Sequence, residues 1–289
     1  MNLPALHFFD THLHAQSMLA KDPILLEKTR VALSDHSLTQ GIDVGLNPGD
    51  LQERLPLLRD LGIAWYALGL YPSHAAEANW RENVAELAAQ ILSLQRDSAI
   101  NTSNGDLAIP RLVAIGEIGI DLFHHYAEVG EQQALLEAQI EIANSFGLPV
   151  IIHNRNADQA LIESMRNCPP IHGGILHCFS SDWETAVQLL DYGFRISFAG
   201  NLTYKSASDL RQIAARLPLN RLLCETDSPY LGPEPFRGKP NWPGQVRLVY
   251  ECLALTRQIP LADLTMHIEA NLQSLLPITR NPVAGEWPW

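Results

Sequence analysis

Residues Arg111–Gly119 read RLVAIGEIG, an apolar run about as long as a β-strand that ends in a carboxylate between two glycines. The run is nearly continuous in apolar residues, which is typical of a strand buried on both faces. Strands of this kind occur in parallel sheets that are covered by helices. We therefore expect a parallel sheet that presents a polar side chain where this strand ends.

Seven further runs of similar length repeat this pattern along the chain. They are FFDTHLH from Phe8, IDVGLN from Ile42, AWYALGLYP from Ala64, PVIIHN from Pro149, GILHCFS from Gly174, FRISFAG from Phe194 and RLLCETDSP from Arg221. Between these runs lie segments whose apolar residues are spaced as in a helix, such as Trp80–Gln95, Glu131–Phe146 and Trp183–Tyr192. Eight strand–helix units predict an α/β fold, a single (β/α)8 TIM barrel with a parallel eight-stranded core.

The other α/β arrangement, an open doubly wound sheet, is disfavoured because no GxGxxG motif follows the first strand. The periodic stretch Leu261–Leu276 predicts an extra C-terminal helix. The polar segment Ala99–Pro110 predicts a surface loop before the fourth strand. A length of 289 residues suits one barrel, so we expect a single domain over residues 1–289.

Composition and charge narrow the class of protein. The formal net charge is −12, which argues against broad electrostatic attraction to nucleic acid or to an anionic membrane. A phosphate-bearing substrate would have to be held locally, by metal ions or by a few basic side chains. No run approaches the roughly 18 apolar residues that span a bilayer. Four cysteines without a CxxC pair predict free thiols, and together these features predict a cytoplasmic protein without membrane attachment.

Metal-binding side chains recur where the predicted strands end. The first strand ends in DTHLH, and His12 and His14 point the same way because side chains two apart in a strand share a face. The other strand ends contribute Glu117, His153, His177 and Asp227. The carboxyl ends of barrel strands form the active face, and imidazole with carboxylate suits divalent ions. Six ligands exceed one tetrahedral site, so the sequence predicts two metals that share a carboxylate.

Each of these residues also has a structural interpretation. A single histidine in a strand is commonly a hydrogen-bonded core residue, and Glu117 could be a buried structural acid, although an unpaired buried carboxylate is costly. Asp227 could cap a following helix, which Ser228-Pro229 would fit. Their joint placement at strand ends favours the metal site.

The same residues lie in motifs that resemble those of the TatD family of metal-dependent hydrolases, within the wider amidohydrolase-like barrels. In order, the motifs are DTHLH at Asp10–His14, GEIGID at Gly116–Asp121, HNRNA at His153–Ala157, HCFS at His177–Ser180 and ETDSPYL at Glu225–Leu231. The stretch Thr203–Lys205 and the FRGKPNWP segment from Phe236 to Pro243 also match. The resemblance covers nearly the whole chain.

This resemblance implies two divalent metal ions (Zn, Mg or Mn). One ion would be held by His12, His14 and Asp227, the other by His153 and His177, with Glu117 as the bridge. It also implies phosphodiester hydrolysis, typically by a deoxyribonuclease, with nucleic acid or another phosphodiester as the substrate. We expect Glu117 and Asp227 to be catalytic, Asp227 by accepting a proton from the attacking water. No obligate protein partner is evident.

The chain departs from the family pattern at three places that concern the substrate. Tyr71 stands where the family's GxHPH-like stretch has its first histidine, and Ser181 stands where a glycine is usual. Leu122, followed by Phe123, takes the place of an aromatic residue. None of the three is a predicted ligand.

Basic side chains near the strand ends are candidates for binding the substrate phosphate. They are His74, Arg155, Lys205, Arg237 and Lys239. Lys205 lies just past the seventh strand, where barrels often bind phosphate. Alternatively, Arg155 binds a loop carbonyl and Lys205 is simply solvated.

Two other functions compete with a nuclease. The first is an amide, ester or lactone hydrolase of the amidohydrolase type, but many of these bridge their metals with a carboxylated lysine on the fourth strand, where this chain has Glu117. The second is a barrel that has lost catalysis and serves as a binding module, which the six intact ligands disfavour.

Overall fold

The computed structural model of the chain describes residues 6–102 and 110–277. Eight parallel strands pair in chain order, each with the next, and helices surround them. The strands are β1 Phe9–Leu13, β2 Gln40–Val44, β3 Trp65–Leu68, β4 Arg111–Asp121, β5 Val150–Arg155, β6 Gly174–Leu176, β7 Phe194–Phe198 and β8 Leu222–Cys224. The sheet forms a nearly closed barrel, so the predicted TIM barrel is confirmed.

At least one helix follows each strand. The helices are α1 Ala15–Lys21, α2 Ile24–Ser34, α3 Leu51–Leu61, α4 Trp80–Thr102, α5 Val129–Phe146, α6 Asp158–Asn167, α7 Trp183–Leu190, α8 Ser208–Arg216, α9 Val246–Arg257 and α10 Leu261–Leu275. The last of these confirms the extra C-terminal helix.

The loop predicted at Ala99–Pro110 begins later than expected, because α4 continues to Thr102. No glycine or proline interrupts the helix before Gly105, so nothing in the local sequence ends it at Ala99. Residues 103–109 of the predicted loop lie outside the described residues.

Burial on both faces of the strands is confirmed. From Val113 to Asp121 every residue of β4 is buried, and β7 has only Arg195 partly exposed. The four cysteines are unpaired, as predicted. Among the helices that the structure describes, none has the length and apolar character of a bilayer-spanning segment.

The barrel closes along a seam between β1 and the chain at and after β8. Away from the barrel mouth, side chains make the hydrogen bonds of this seam. The Thr11 hydroxyl donates to the backbone carbonyl of Cys224 at 3.1 Å, and the Tyr250 hydroxyl on α9 lies 3.2 Å from both the N–H and the carbonyl oxygen of Phe9. Tyr250 thereby satisfies backbone groups that a neighbouring strand would otherwise pair.

At the mouth of the barrel, backbone groups close the same seam. The Asp227 N–H donates to the His12 carbonyl, and the His14 N–H donates to the Ser228 carbonyl, both at 2.9 Å. These bonds hold the end of β1 against the segment after β8. Two strand ends that carry predicted metal ligands are therefore fixed to each other.

Candidate metal centre

All six predicted ligands lie at the carboxyl ends of the strands. His12 is within β1 and His14 follows it; Glu117 and His153 are within β4 and β5; His177 follows β6, and Asp227 lies three residues beyond β8. Their side chains are buried or nearly so, with His153 and Asp227 the most accessible at 13% exposure each. The structure therefore brings together the set of residues predicted from the sequence.

Glu117 lies at the centre of this cluster. Its Oε2 atom is 3.3 Å from His12 Nε2 and 3.8 Å from His14 Nε2. Its Oε1 atom is 2.8 Å from His153 Nδ1 and 3.0 Å from His177 Nε2. Each carboxylate oxygen therefore faces its own pair of imidazoles, which is the arrangement of a bridging ligand.

We call His12, His14 and Asp227 the first group and His153 with His177 the second group. Asp227 Oδ1 lies 3.4 Å from His14 Nε2 and 3.9 Å from His12 Nε2. The His12 and His14 Nε2 atoms are 3.2 Å apart, and His153 Nδ1 is 3.3 Å from His177 Nε2.

These separations match the needs of a divalent ion. Ligands about 2.0–2.1 Å from a tetrahedral metal lie roughly 3.3 Å from one another. Two triads have ligand atoms that all lie within 4.8 Å: His12 with His14 and Asp227, and His12 with Glu117 and His177. The rings of His12 and His177 stack at 4.0 Å, so the two groups are contiguous. The donor set fits divalent cations.

The two groups differ in what supports the outer nitrogen of each imidazole. In the second group, His177 Nδ1 lies 3.2 Å from Glu225 Oε1 and His153 Nε2 lies 3.2 Å from Asp121 Oδ2. In the first group, His14 Nδ1 donates to the Val44 carbonyl at 2.8 Å. His12 Nδ1 is buried without a partner among the described residues.

Asp121 and Glu225 are site residues to which the sequence analysis assigned no role. Both are fully buried, and Glu225 Oε1 also accepts the Cys178 N–H at 2.6 Å. The sequence does hold a signal, because each carboxylate ends or follows a strand within a matching motif. Carboxylates that orient metal-bound histidines are common in such sites.

The electrostatics of the ligands follow from their proximity. Burial opposes ionisation of Glu117, but the imidazoles, His177 foremost, hold the pKa of Glu117 well below its ordinary value. Burial likewise opposes charge on His177 and His153, yet the carboxylates around them raise the pKa of each, that of His177 strongly. Protons on these imidazoles thus balance Glu117, and a divalent cation would replace them.

His12 behaves differently from the other imidazoles. Burial, together with the positive charge of His177, lowers the pKa of His12 despite the nearness of Glu117. At His14 burial is outweighed by Asp227, and the pKa is raised. The first group therefore contains one imidazole that is readily neutral, the form that binds metal.

The conformation of Asp227 removes the alternative that it caps a helix. Its φ is 55°, and no helix begins there; the next helical turn is Pro243–Gln245, followed by α9. A left-handed backbone is uncommon outside glycine, although aspartate tolerates it better than most residues. Cys178 and Asn156 share this conformation just beyond β6 and β5, with φ of 47° and 56°. Such backbone strain at strand ends is typical of functional sites.

Gly119 accounts for the close approach of β4 and β5 beside Glu117. Its φ is 151°, and a Cβ atom there would lie only 1.9 Å from the His153 carbonyl oxygen. Any side chain would push the two strands apart. The glycine therefore allows Glu117 and His153 to meet.

Three of the five predicted phosphate-binding residues lie over aromatic rings. These pairs are Arg155 over Phe123 at 4.1 Å, Arg237 over Tyr204 at 4.2 Å and Lys239 over Phe236 at 5.9 Å. The Arg155 guanidinium makes no hydrogen bond to a carbonyl of the described residues, so the alternative of a loop contact has no support there. Stacking holds each cation in place and leaves its donors available.

The remaining two candidates are placed differently. Lys205 is exposed. His74 has both ring nitrogens engaged, Nδ1 2.8 Å from Glu77 Oε1 and Nε2 3.2 Å from the Leu46 carbonyl. A substrate contact by His74 would have to displace one of these partners.

Tyr71, the departure from the family's histidine, adjoins the second group. Its hydroxyl lies 3.3 Å from His153 Nε2 and 3.4 Å from Asp121 Oδ2. Burial, with Glu117 and Asp121 nearby, raises the pKa of Tyr71. The tyrosine therefore remains a neutral hydrogen-bonding group beside a predicted ligand.

A sequence profile of the family described as TatD related DNase matches residues 9–277. The chain belongs to this family. It is 42% identical over 172 residues to YcfH of Escherichia coli, described as an uncharacterized metal-dependent hydrolase. That match spans 58% of this chain and 63% of YcfH, less than two thirds of the relative's length.

Two other relatives match over greater lengths. YabD of Bacillus subtilis, also described as an uncharacterized metal-dependent hydrolase, is 28% identical over 274 residues, which are 93% of this chain and 99% of YabD. The crystal structure of YjjV, a TatD homologue from Escherichia coli, superposes with a TM-score of 0.78 at 28% identity and covers 94% of this chain and 98% of YjjV. YcfH and YabD are thus described as metal-dependent hydrolases, and this TatD-family chain has histidine and carboxylate groups able to bind metal.

Proposed function

We propose that this chain is a nuclease that hydrolyses nucleic-acid phosphodiesters with two divalent cations. The observation that carries the proposal is the position of Glu117, whose two oxygens face two separate pairs of imidazoles. Glu117 and the two pairs of imidazoles would hold two cations, which would supply charge stabilisation for displacement at phosphorus. The family description supports the same chemistry.

Bound divalent cations would acidify water and offset negative charge on the phosphate. The proton of the attacking water would be accepted by Asp227, which adjoins the first group. Burial opposes its charge, but His14 and the other imidazoles lower the pKa of Asp227, so its carboxylate is ionised and able to accept a hydrogen bond. General-base assistance of this kind contributes about 10²–10⁴-fold to a rate.

The basic side chains that lie over aromatic rings would bind the substrate phosphate. Arg155, Arg237 and Lys239 provide local positive charge in a chain whose net charge is −12. The stacked rings add apolar surface against which bases can pack. We therefore expect these residues, with Lys205, to contribute to substrate affinity and not to turnover.

The nature of the metal follows from the ligand types. Imidazole suits zinc, whereas magnesium and manganese prefer oxygen ligands, so the four imidazoles favour zinc among these divalent ions. We propose two such ions, within one functional domain over residues 1–289. The cytoplasmic location and the absence of an obligate partner stay predictions from the sequence.

Metal-dependent hydrolysis of a substrate panel tests the proposal. The purified protein is stripped with chelator, reloaded separately with zinc, manganese or magnesium, and assayed on single-stranded DNA, duplex DNA and RNA. Esters, lactones and amides form the comparison set. We expect metal-restored cleavage of nucleic acid and weak activity on the comparison set; the reverse pattern would favour the amidohydrolase alternative.

A further inference from the structure

His124 forms a dyad with Asp121 at the mouth of the barrel. Its Nδ1 atom lies 2.7 Å from Asp121 Oδ2, while the backbone N–H groups of Phe123 and His124 both donate to Asp121 Oδ1 at 2.9 Å. Asp121 is fully buried, so the loop after β4 is fixed on this carboxylate. An ionised carboxylate only accepts hydrogen bonds, and Nδ1 is therefore the donor.

The opposite nitrogen of His124 is available. The side chain is 40% exposed, and Nε2 has no hydrogen-bond partner among the described residues. The ring stacks on Tyr126 at 5.2 Å and meets the edge of Phe123 at 5.0 Å, which restricts its orientation. A carboxylate on one nitrogen and an open site on the other is the arrangement of histidines that transfer protons.

The dyad and Asp227 adjoin different ligand groups. Asp121 Oδ2 accepts from both His124 and His153, so His124 adjoins the second group. Asp227 adjoins the first group, and the two groups face different oxygens of Glu117. In displacement at phosphorus the attacking and leaving oxygens lie in line on opposite sides. The carboxylate of Asp227 and the imidazole of His124 thus adjoin different ligand groups, as proton transfer to two different oxygens requires.

We propose that His124 donates a proton from Nε2 to the leaving oxygen of the phosphodiester, an inference that rests on the proposed nuclease function. Water adds to phosphorus and gives its proton to Asp227. The bond between phosphorus and the leaving oxygen breaks, its electron pair stays on that oxygen, and the oxygen takes the proton of His124. Asp227 releases its proton to solvent and solvent reprotonates the imidazole, so water is the only co-reactant.

The competing role for His124 is structural, as a residue that positions Asp121 and, through it, His153. His124→Asn separates the two roles, because the asparagine amide takes the place of Nδ1 and can still donate to Asp121 but offers no acidic nitrogen outward. The adjacent His125 is exposed, and its left-handed backbone accommodates asparagine. His125→Asn is therefore a matched control.

The test compares two substrates that release the same thymidine 5′-phosphate. Thymidylyl(3′–5′)thymidine expels a strongly basic alkoxide that needs protonation, whereas thymidine 5′-(4-nitrophenyl phosphate) expels a weakly basic aryloxide that does not. Cation affinity of each variant is measured alongside. We expect His124→Asn to lose roughly 10²-fold or more on the dinucleotide and less than about threefold on the nitrophenyl ester, with cation affinity and the control unchanged.

Equal losses on both substrates, or a loss that follows cation affinity, would assign His124 a positioning role and overturn the proposal. Unchanged rates on both would overturn it as well. If the wild-type protein cleaves neither diester, the nuclease function itself fails, a result distinct from any difference between the variants.

Discussion

The two ligand groups around Glu117 are supported in different ways. The first group relies on backbone: His14 donates to a strand carbonyl, and backbone bonds join the segments that carry His12 and Asp227. The second group relies on side chains, because buried carboxylates contact the outer nitrogens of both its imidazoles. One half of the site is therefore an outcome of barrel closure, and the other half depends on individual residues.

This difference determines which group of ligands can be altered selectively by substitution. A carboxylate behind an imidazole raises its basicity and fixes its orientation, so changes at Asp121 or Glu225 should alter the second group alone. The first group is supported by backbone atoms, which no side-chain substitution can remove without disturbing the barrel. Variants that act on one group, or on both, test this asymmetry directly.

Glu117→Gln should produce the largest effect, since it removes the carboxylate that both groups face. The amide keeps the shape but loses one oxygen and the negative charge. We expect cation content to fall in both groups and the rate to fall at least about 10⁴-fold, because bound cations supply several kcal/mol to the transition state. Elemental analysis and rates on the same preparation measure both, and thermal unfolding checks that the barrel is intact. Wild-type cation content would contradict the bridging role.

Asp227→Asn should separate binding from turnover within the first group. Asparagine keeps an oxygen for a cation but is a poor proton acceptor, so we expect most of the cation to remain while turnover falls by about 10²–10⁴-fold. Asp182→Asn is the matched control, because Asp182 caps α7 by accepting the Thr185 N–H at 2.8 Å and asparagine caps equally well. Near wild-type turnover of Asp227→Asn would exclude the general-base role.

Glu225→Gln should weaken the second group alone. Glutamine can still accept the Cys178 N–H but supports His177 without a charge, and losses of roughly 10–100-fold in metal affinity are expected for such partners. Calorimetric titration of the stripped protein resolves the two sites. Asp158→Asn is the control, since Asp158 contacts Asn154 and Ser181 and no predicted ligand within the described chain. Equal weakening of both groups would refute the asymmetry.

Acidification should release the second cation before the first. Raised pKa values mean that His153 and His177 hold protons to higher pH than ordinary imidazoles, whereas the lowered pKa of His12 leaves it free of a proton. A cation must displace the bound protons, so affinity falls as pH decreases, by about tenfold per pH unit for each proton displaced. His14, whose pKa is also raised, leaves one proton to displace in the first group against two in the second. We therefore expect affinity for the second cation to fall by about a further tenfold per pH unit. Titrations between pH 6 and 8 measure the two slopes, and parallel slopes would contradict the prediction.

The sequence was sufficient to bring the six predicted ligands to one place, because each is marked locally. An apolar run identifies a strand, and the polar residue at its end lies at the mouth of a parallel barrel. His12 and His14 share a face through strand alternation alone. These predictions need only that the strands assemble in chain order, which they do.

The supporting residues could not be assigned in this way, because their roles depend on contacts between strands. Strand alternation would place Glu225 and Asp227 on one face, but the left-handed backbone of Asp227 breaks the alternation. As a result Asp227 joins the first group while Glu225 contacts His177 of the second. Similarly, Tyr71 contacts Asp121 and His153 only because β3, β4 and β5 are adjacent.

The seam between β1 and β8 has a thermodynamic consequence. His12 and His14 lie on one side of it and Asp227 on the other, so a cation held by all three would span it. By mass action, a ligand that binds only the closed arrangement stabilises it by RT ln(1 + [L]/Kd), about 4 kcal/mol at a thousandfold excess over Kd. Closing the barrel and capturing the cation would then be coupled in a single equilibrium, and the unfolding temperature would rise with the logarithm of free metal concentration.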